Sequence, residues 1–77
     1  MNKVRRKAIE HVRASLDAER TLLEEIRDQE QEYLDNLPEN MQAGEKAEKS
    51  EAYIEGLNAA MAALEEADTA LDPSEFE

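Results

Sequence analysis

Apolar residues recur along this chain at alternating steps of three and four, and one proline-bearing segment cuts the repeat in two. In the first half Ile9, Val12, Leu16, Leu23, Ile26, Tyr33 and Leu37 keep the spacing, with Glu19 and Glu30 as interruptions and Ala8 and Leu22 to one side. In the second half Ala47, Ile54, Leu57, Met61, Leu64 and Leu71 keep it, interrupted by Ser50 and Asp68. Alternation at period two is nowhere sustained, so the pattern argues for amphipathic helices against strands. Both halves are rich in Ala, Leu, Glu, Arg and Lys, which lose little on entering a helix.

The break runs from Asp35 to Gly44 and holds Asn36, Pro38 and Asn40. Proline lacks a donor and pushes its predecessor out of the helical region, while Asn and Gly suit caps and turns. The spacing predicts a helix over about residues 2–36, a corner at 37–43, a helix over about 44–71 stopped by Asp72-Pro73, and an acidic tail at 72–77 expected to fray. At about 1.5 Å per residue these are rods of roughly 50 and 40 Å. So short a connection makes neighbouring helices antiparallel, and the fold class is all-α, an antiparallel two-helix hairpin forming one domain over residues 1–77. Folding about Asn40 sets Tyr33 against Ala47, Ile26 against Ile54, Leu23 against Leu57, Leu16 against Leu64 and Ile9 against Leu71.

Charge is distributed unevenly. The net charge of −11 divides into +4 over residues 1–16 and −15 over residues 17–77. The first helix therefore starts on Lys3, Arg5, Arg6 and Lys7 and ends on Glu30, Glu32 and Asp35, the reverse of what a helix dipole favours. Closing the hairpin would bring the basic start beside Asp68, Asp72, Glu75 and Glu77, and a basic patch meant for a partner is the alternative.

Two helices bury only one seam between them, a modest driving force against the entropy of ordering the chain. Self-association into a dimeric four-helix bundle is the remedy to expect. Residues 56–64 carry no charge, and Ala52, Gly56, Ala59, Ala60, Ala63 and Ala67 follow one another in overlapping steps of four. Small residues so spaced let another helix approach closely, which makes them the candidate interface of a homodimer. Alanine is also simply the best helix former, the plainer account of the same residues. Of the polar interruptions, Asp68 is expected at a wet end of the seam and Glu30 in a polar layer with Ser50 and Lys49. Glu19 is either solvated or matched to Arg13 or Arg20 of a second copy.

Signals for chemistry are missing. With no cysteine and one histidine, disulfide frameworks, zinc fingers and iron–sulfur sites are excluded. Paired helices can hold metals through Glu-x-x-His, but the residue three before His11 is Ala8. No glycine-rich phosphate loop or calcium loop occurs, so no catalytic, cofactor-binding or metal-binding residues are expected, and the chain does not read as an enzyme. The longest uncharged run, nine residues, is too short to span a bilayer, and the basic start leads into Ala8-Ile9-Glu10-His11 rather than a signal-peptide core. A cytoplasmic place of work and no membrane partner are the corresponding expectations.

Two surfaces remain as candidates for an unidentified protein partner. Glu24, Asp28 and Glu32 form a row of carboxylates at steps of four, which on a rigid rod could imitate nucleic-acid phosphates before a basic groove. Arg20, Arg27, Lys46 and Lys49 interleave opposite charge and favour the plainer reading, a solvated face. The overall field repels phosphate and argues against direct nucleic-acid binding through the basic start. The corner is the second surface: Tyr33, Leu37 and Met41 could plug the end of the helix pair, and Asn36 and Asn40 could cap or bind.

In Tyr33, Asp35, Asn36, Pro38, Glu39, Asn40 and Gln42 the corner resembles short helical proteins of bacteria and their phages that carry a Y-x-D-N-x-P-E-N-x-Q segment before an acidic, alanine-rich helix. Gly44-Glu45-Lys46 stands where Ser-Glu-Arg occurs in those proteins, so the hydroxyl cap is missing. The resemblance covers about residues 25–70. It implies a helical hairpin and a phage or prophage origin, and carries no activity with it. Together these features describe a non-catalytic protein–protein interaction module, for instance a phage-encoded modulator or inhibitor of a host protein. A nucleic-acid mimic and a purely structural self-assembling protein are the alternatives.

Overall fold

The first helix, α1, spans Lys3–Asp35 and starts where Asn2 Oδ1 accepts the Arg5 backbone N–H at 2.9 Å. That capping bond satisfies one of the four amides a helix start leaves open. α1 has no acidic residue in its first turn and no basic residue in its last, so its dipole goes uncompensated within the helix. It stops at Asn36, two residues before Pro38. The second helix, α2, spans Glu45–Ala70 and starts at Gly44, which supplies no capping side chain. The computed structural model describes residues 2–73.

The two helices lie antiparallel against each other as a hairpin, a rod of 59 × 15 × 14 Å. Its radius of gyration is 17.6 Å, where a compact chain of this length would have about 11–12 Å. No helix among the described residues is long and apolar enough to cross a membrane.

The corner is held by its own backbone. Pro38 offers its carbonyl to the Met41 N–H at 2.7 Å, opening a 3₁₀ turn over Glu39–Met41. Gln42 Nε2 reaches back to the Leu37 carbonyl at 3.1 Å, and the Gly44 N–H closes on the Met41 carbonyl at 3.1 Å. Leu37 is buried beneath this turn and Met41 is half-buried, so those two fill the end of the rod. Tyr33 does not join them: its side chain is 46 % exposed.

The buried core is small: among the described apolar residues only Leu37, Ala47 and Met61 are buried, and Ser50 is buried with them. Along α2 the buried and half-buried positions are Ala47, Ser50, Ile54, Leu57, Met61, Leu64, Asp68 and Leu71, the rows the apolar spacing specifies. Along α1 only one of the two expected rows is covered. Ile9, Leu16, Leu23, Glu30 and Leu37 face the seam, whereas Val12 and Ile26 are 45 % and 42 % exposed. The second covered row of α1 is instead Arg13, Arg20, Arg27 and Leu34. A pair of helices has one narrow seam, and the long methylene stems of arginine can close one side of it while their heads stay wet.

Candidate functional site

The two sides of this rod are built differently. On the first, Arg13, Arg20 and Arg27 of α1 recur every seven residues. Arg13 donates from Nε to Asp68 Oδ1 at 2.8 Å and from Nη2 to Asp68 Oδ2 at 3.3 Å, a two-pronged bond between helices. Arg20 lies 3.3 Å from Asp17, and 3.8 Å from both Glu24 and Glu65. Arg27 donates to Asn58 Oδ1 on α2 at 3.3 Å and to Asp28 at 3.0 Å. The Asp68 carboxyl is held below the usual carboxylate range by its hydrogen bond to Arg13, against the opposing pull of desolvation. The same bond raises the Arg13 guanidinium. Asp68 is therefore an ion-pair partner across the helices rather than a bare wet end of the seam. Arg13 and Arg20 are also engaged within their own chain, away from Glu19, which is exposed.

The second side is open. Val12, Ile26 and Tyr33 of α1 stand along it at heptad spacing, and Leu22, 49 % exposed, lies just outside them. On α2 the facing row is Lys46, Tyr53, Ala60 and Ala67, with Gly56 and Ala63 one step farther out. Tyr53 is 64 % exposed and is shared by two shallow grooves. One groove is lined by Ile26, Glu30, Ala52, Tyr53, Gly56 and Leu57. The next, toward the corner, is lined by Glu30, Tyr33, Lys46, Lys49, Ser50 and Tyr53. Glu30, Ser50 and Lys49 thus form a polar layer at the corner end. Within it the Ser50 Oγ is buried and has no hydrogen-bond partner among the described residues.

The interface candidates from the sequence separate accordingly. Gly56, Ala60, Ala63 and Ala67 border the open side, Ala52 lines the edge of a groove, and Ala59 falls on the part of α2 turned from α1. A Cβ built on Gly56 would meet nothing within 4 Å, so the chain itself leaves that position free for a neighbour. Tyr53 and Leu22 were not singled out by sequence reasoning. The arginine row at 13, 20 and 27 was the available signal, because it shows which flank of α1 is occupied.

The other candidates lie elsewhere. Asn36 and Asn40 are exposed on the corner, and neither side-chain amide makes a hydrogen bond among the described residues. Glu24, Asp28 and Glu32 run round the outer part of α1, the first two already beside Arg20 and Arg27. Of the basic start, Lys3, Arg5, Arg6 and Lys7 make no ion pair among the described residues, while Arg13 carries the link to Asp68. The expected pairing with Glu75 and Glu77, and the tail at 74–77, lie outside the described residues.

A surface of 5874 Å² is large for 8.7 kDa, since a compact monomer of that mass exposes about 4,700 Å². The surplus, on the order of 1,100 Å², is comparable to the ~800 Å² each partner contributes to a stable protein interface. No family model, curated protein or solved structure matches the chain.

Proposed function

We propose that this protein is a non-catalytic protein–protein interaction module that works through its open flank, as a dimeric four-helix bundle. One observation carries the reading: the apolar row of Val12, Ile26 and Tyr33, which the single seam of a hairpin leaves uncovered, stands exposed beside Tyr53 and a strip of small residues. Exposed apolar side chains lined up along one face, rimmed by polar ones, are the kind of surface that protein partners cover. The corner is a second contact point, with the free amides of Asn36 and Asn40 on its surface. The phage or prophage origin that its resemblance implies would make a host protein the partner. Two carboxylates of the Glu24, Asp28 and Glu32 row already sit beside arginines of their own helix, which leaves less of that row to imitate phosphates.

The test is capture of partners by the tagged full chain, compared across three forms. Wild type should retain a defined partner, Ile26→Asp should lose it, and a Glu32→Gln change on the outer face should keep it. Loss on Glu32→Gln with retention on Ile26→Asp would move the function from the open flank to the acidic row.

A further inference from the structure

We infer that a second copy of this chain covers the open flank, and that the two copies lie antiparallel, the corner of each beside the chain start of the other. The inference rests on the interaction-module reading and adds the orientation.

Along the open flank the heptad repeat stacks four layers. Ile26 and Tyr53 share one groove, and Tyr33 and Lys46 share the next. Seven residues farther along each helix come Glu19 with Ala60, and then Val12 with Ala67. The half toward the corner is thus bulky and the half toward the termini is small.

A parallel pair would set like layers against like. Two Ile26–Tyr53 layers would overfill one level, and two Val12–Ala67 layers would leave another hollow. Two Glu19 carboxylates would face each other at a third level and two Lys46 amines at the fourth. Overpacking, voids and unmatched charges are each destabilising.

Turning one copy end for end about a point between Glu19 and Ile26 relieves the overfilled and hollow levels and separates the like charges. Tyr33 and Lys46 then meet Val12 and Ala67 of the second copy, and Ile26 and Tyr53 meet Glu19 and Ala60. Large side chains fall on small ones, and the Tyr53 hydroxyl comes level with a carboxylate it can donate to.

Charge points the same way. The basic start, without ion pairs among the described residues, would come alongside Asp35, Glu39 and Glu45 of the second copy. The α1 dipole, uncompensated in its own chain, would gain acid near its positive end. Roughly 50 Å of the 59 Å rod overlaps in this arrangement, and a face about 50 by 15 Å offers on the order of 750 Å², close to what each partner contributes to a standard interface.

The chain lacks cysteine, so one can be introduced and spin-labelled without background. Ala43, exposed at the corner, is not itself one of the side chains assigned a contact. Ala43→Cys, with its helicity checked by circular dichroism, should give a label-to-label distance of about 40–45 Å by pulsed electron resonance, and light scattering should give twice 8.7 kDa. A distance below about 25 Å, the width of a four-helix bundle, would mean a parallel dimer and would overturn the antiparallel inference while leaving the module reading intact. An 8.7 kDa particle at high micromolar concentration with no dipolar distance would overturn the inference altogether. The module reading would then stand or fall on whether Ile26→Asp abolishes partner capture.

Discussion

Val12 and Arg13 are neighbours in sequence and belong to opposite sides of the molecule, as do Ile26 and Arg27. The arginine side is bridged within one chain: Arg13, Arg20 and Arg27 reach Asp68, Glu65 and Asn58 across the seam, and their stems cover it except for a groove lined by Leu16, Arg20, Leu64 and Asp68. The other side has equally regular spacing and no such closure, and Ile26 is left 42 % exposed there. The difference teaches that burial in a hairpin follows what can cross to the other helix, not apolarity alone. A row of apolar side chains on an edge waits for more surface than two helices supply.

The sharpest way to break this comparison is to change one neighbour of each kind. Ile26→Asp puts a charge into the proposed contact and should weaken association at least thirty-fold, a cost of about 2 kcal/mol or more. Sedimentation equilibrium would show it, together with a melting temperature that no longer rises with protein concentration. Arg27→Ala removes an exposed hydrogen bond and some stem packing, and should leave the association constant within about a factor of three. Equal effects from the two variants would show that the sides are not functionally distinct.

A smaller change sharpens the account of the open side. Gly56→Ala meets no obstruction in the chain and exchanges the poorest ordinary helix former for the best. The isolated hairpin should gain about 0.5–1 kcal/mol, read as a higher melting temperature at dilution where monomer prevails. Ser50→Ala tests the layer where the two sides meet. Its hydroxyl is buried without a partner among the described residues, so removal should be neutral or stabilising by up to about 1 kcal/mol in denaturant unfolding. A loss larger than that would mean the hydroxyl is bonded in solution.

Most of the architecture was legible in the sequence for definite reasons. Pro38 and the amides around it mark the corner because few other residues stop a helix there. The seam of α2 was legible because its two covered rows, 47, 54, 61, 68 and 50, 57, 64, 71, coincide with its apolar spacing. On α1 the same logic misplaced Val12, Ile26 and Tyr33. Apolar spacing says which side chains gain from burial, while the number of helices present decides how many rows can be covered. The repeat at Arg13, Arg20 and Arg27 held the missing information, but only knowledge of Asp68, Glu65 and Asn58 opposite turns three arginines into a closed edge. The candidate site was half legible: Gly56, Ala60, Ala63 and Ala67 were marked by size, whereas Tyr53, the largest exposed group beside them, stood outside any pattern read from the chain.

The smallest expected effect belongs to the closed side and has a definite sign in pH. The Asp68 carboxyl is depressed by its bond to Arg13, so it binds a proton less readily folded than unfolded. A group of that kind stabilises the fold above its unfolded pKa of about 4 and loses that contribution as pH falls through its folded value. Arg13 stays charged throughout, so Asp68 alone sets the window. Lowering pH also discharges the other carboxylates and relieves the repulsion of a net −11 chain, an opposite trend that would mask Asp68 in the wild type alone. The informative quantity is therefore the difference between wild type and Asp68→Asn. That difference should be positive in favour of wild type at pH 7, shrink below about pH 4, and be reduced by salt, as befits a pair exposed to solvent. A difference constant with pH would mean that Asp68 acts through its shape and hydrogen bonding rather than its charge. The closed edge would then owe its closure to the arginine stems, and only the open edge would depend on a second chain.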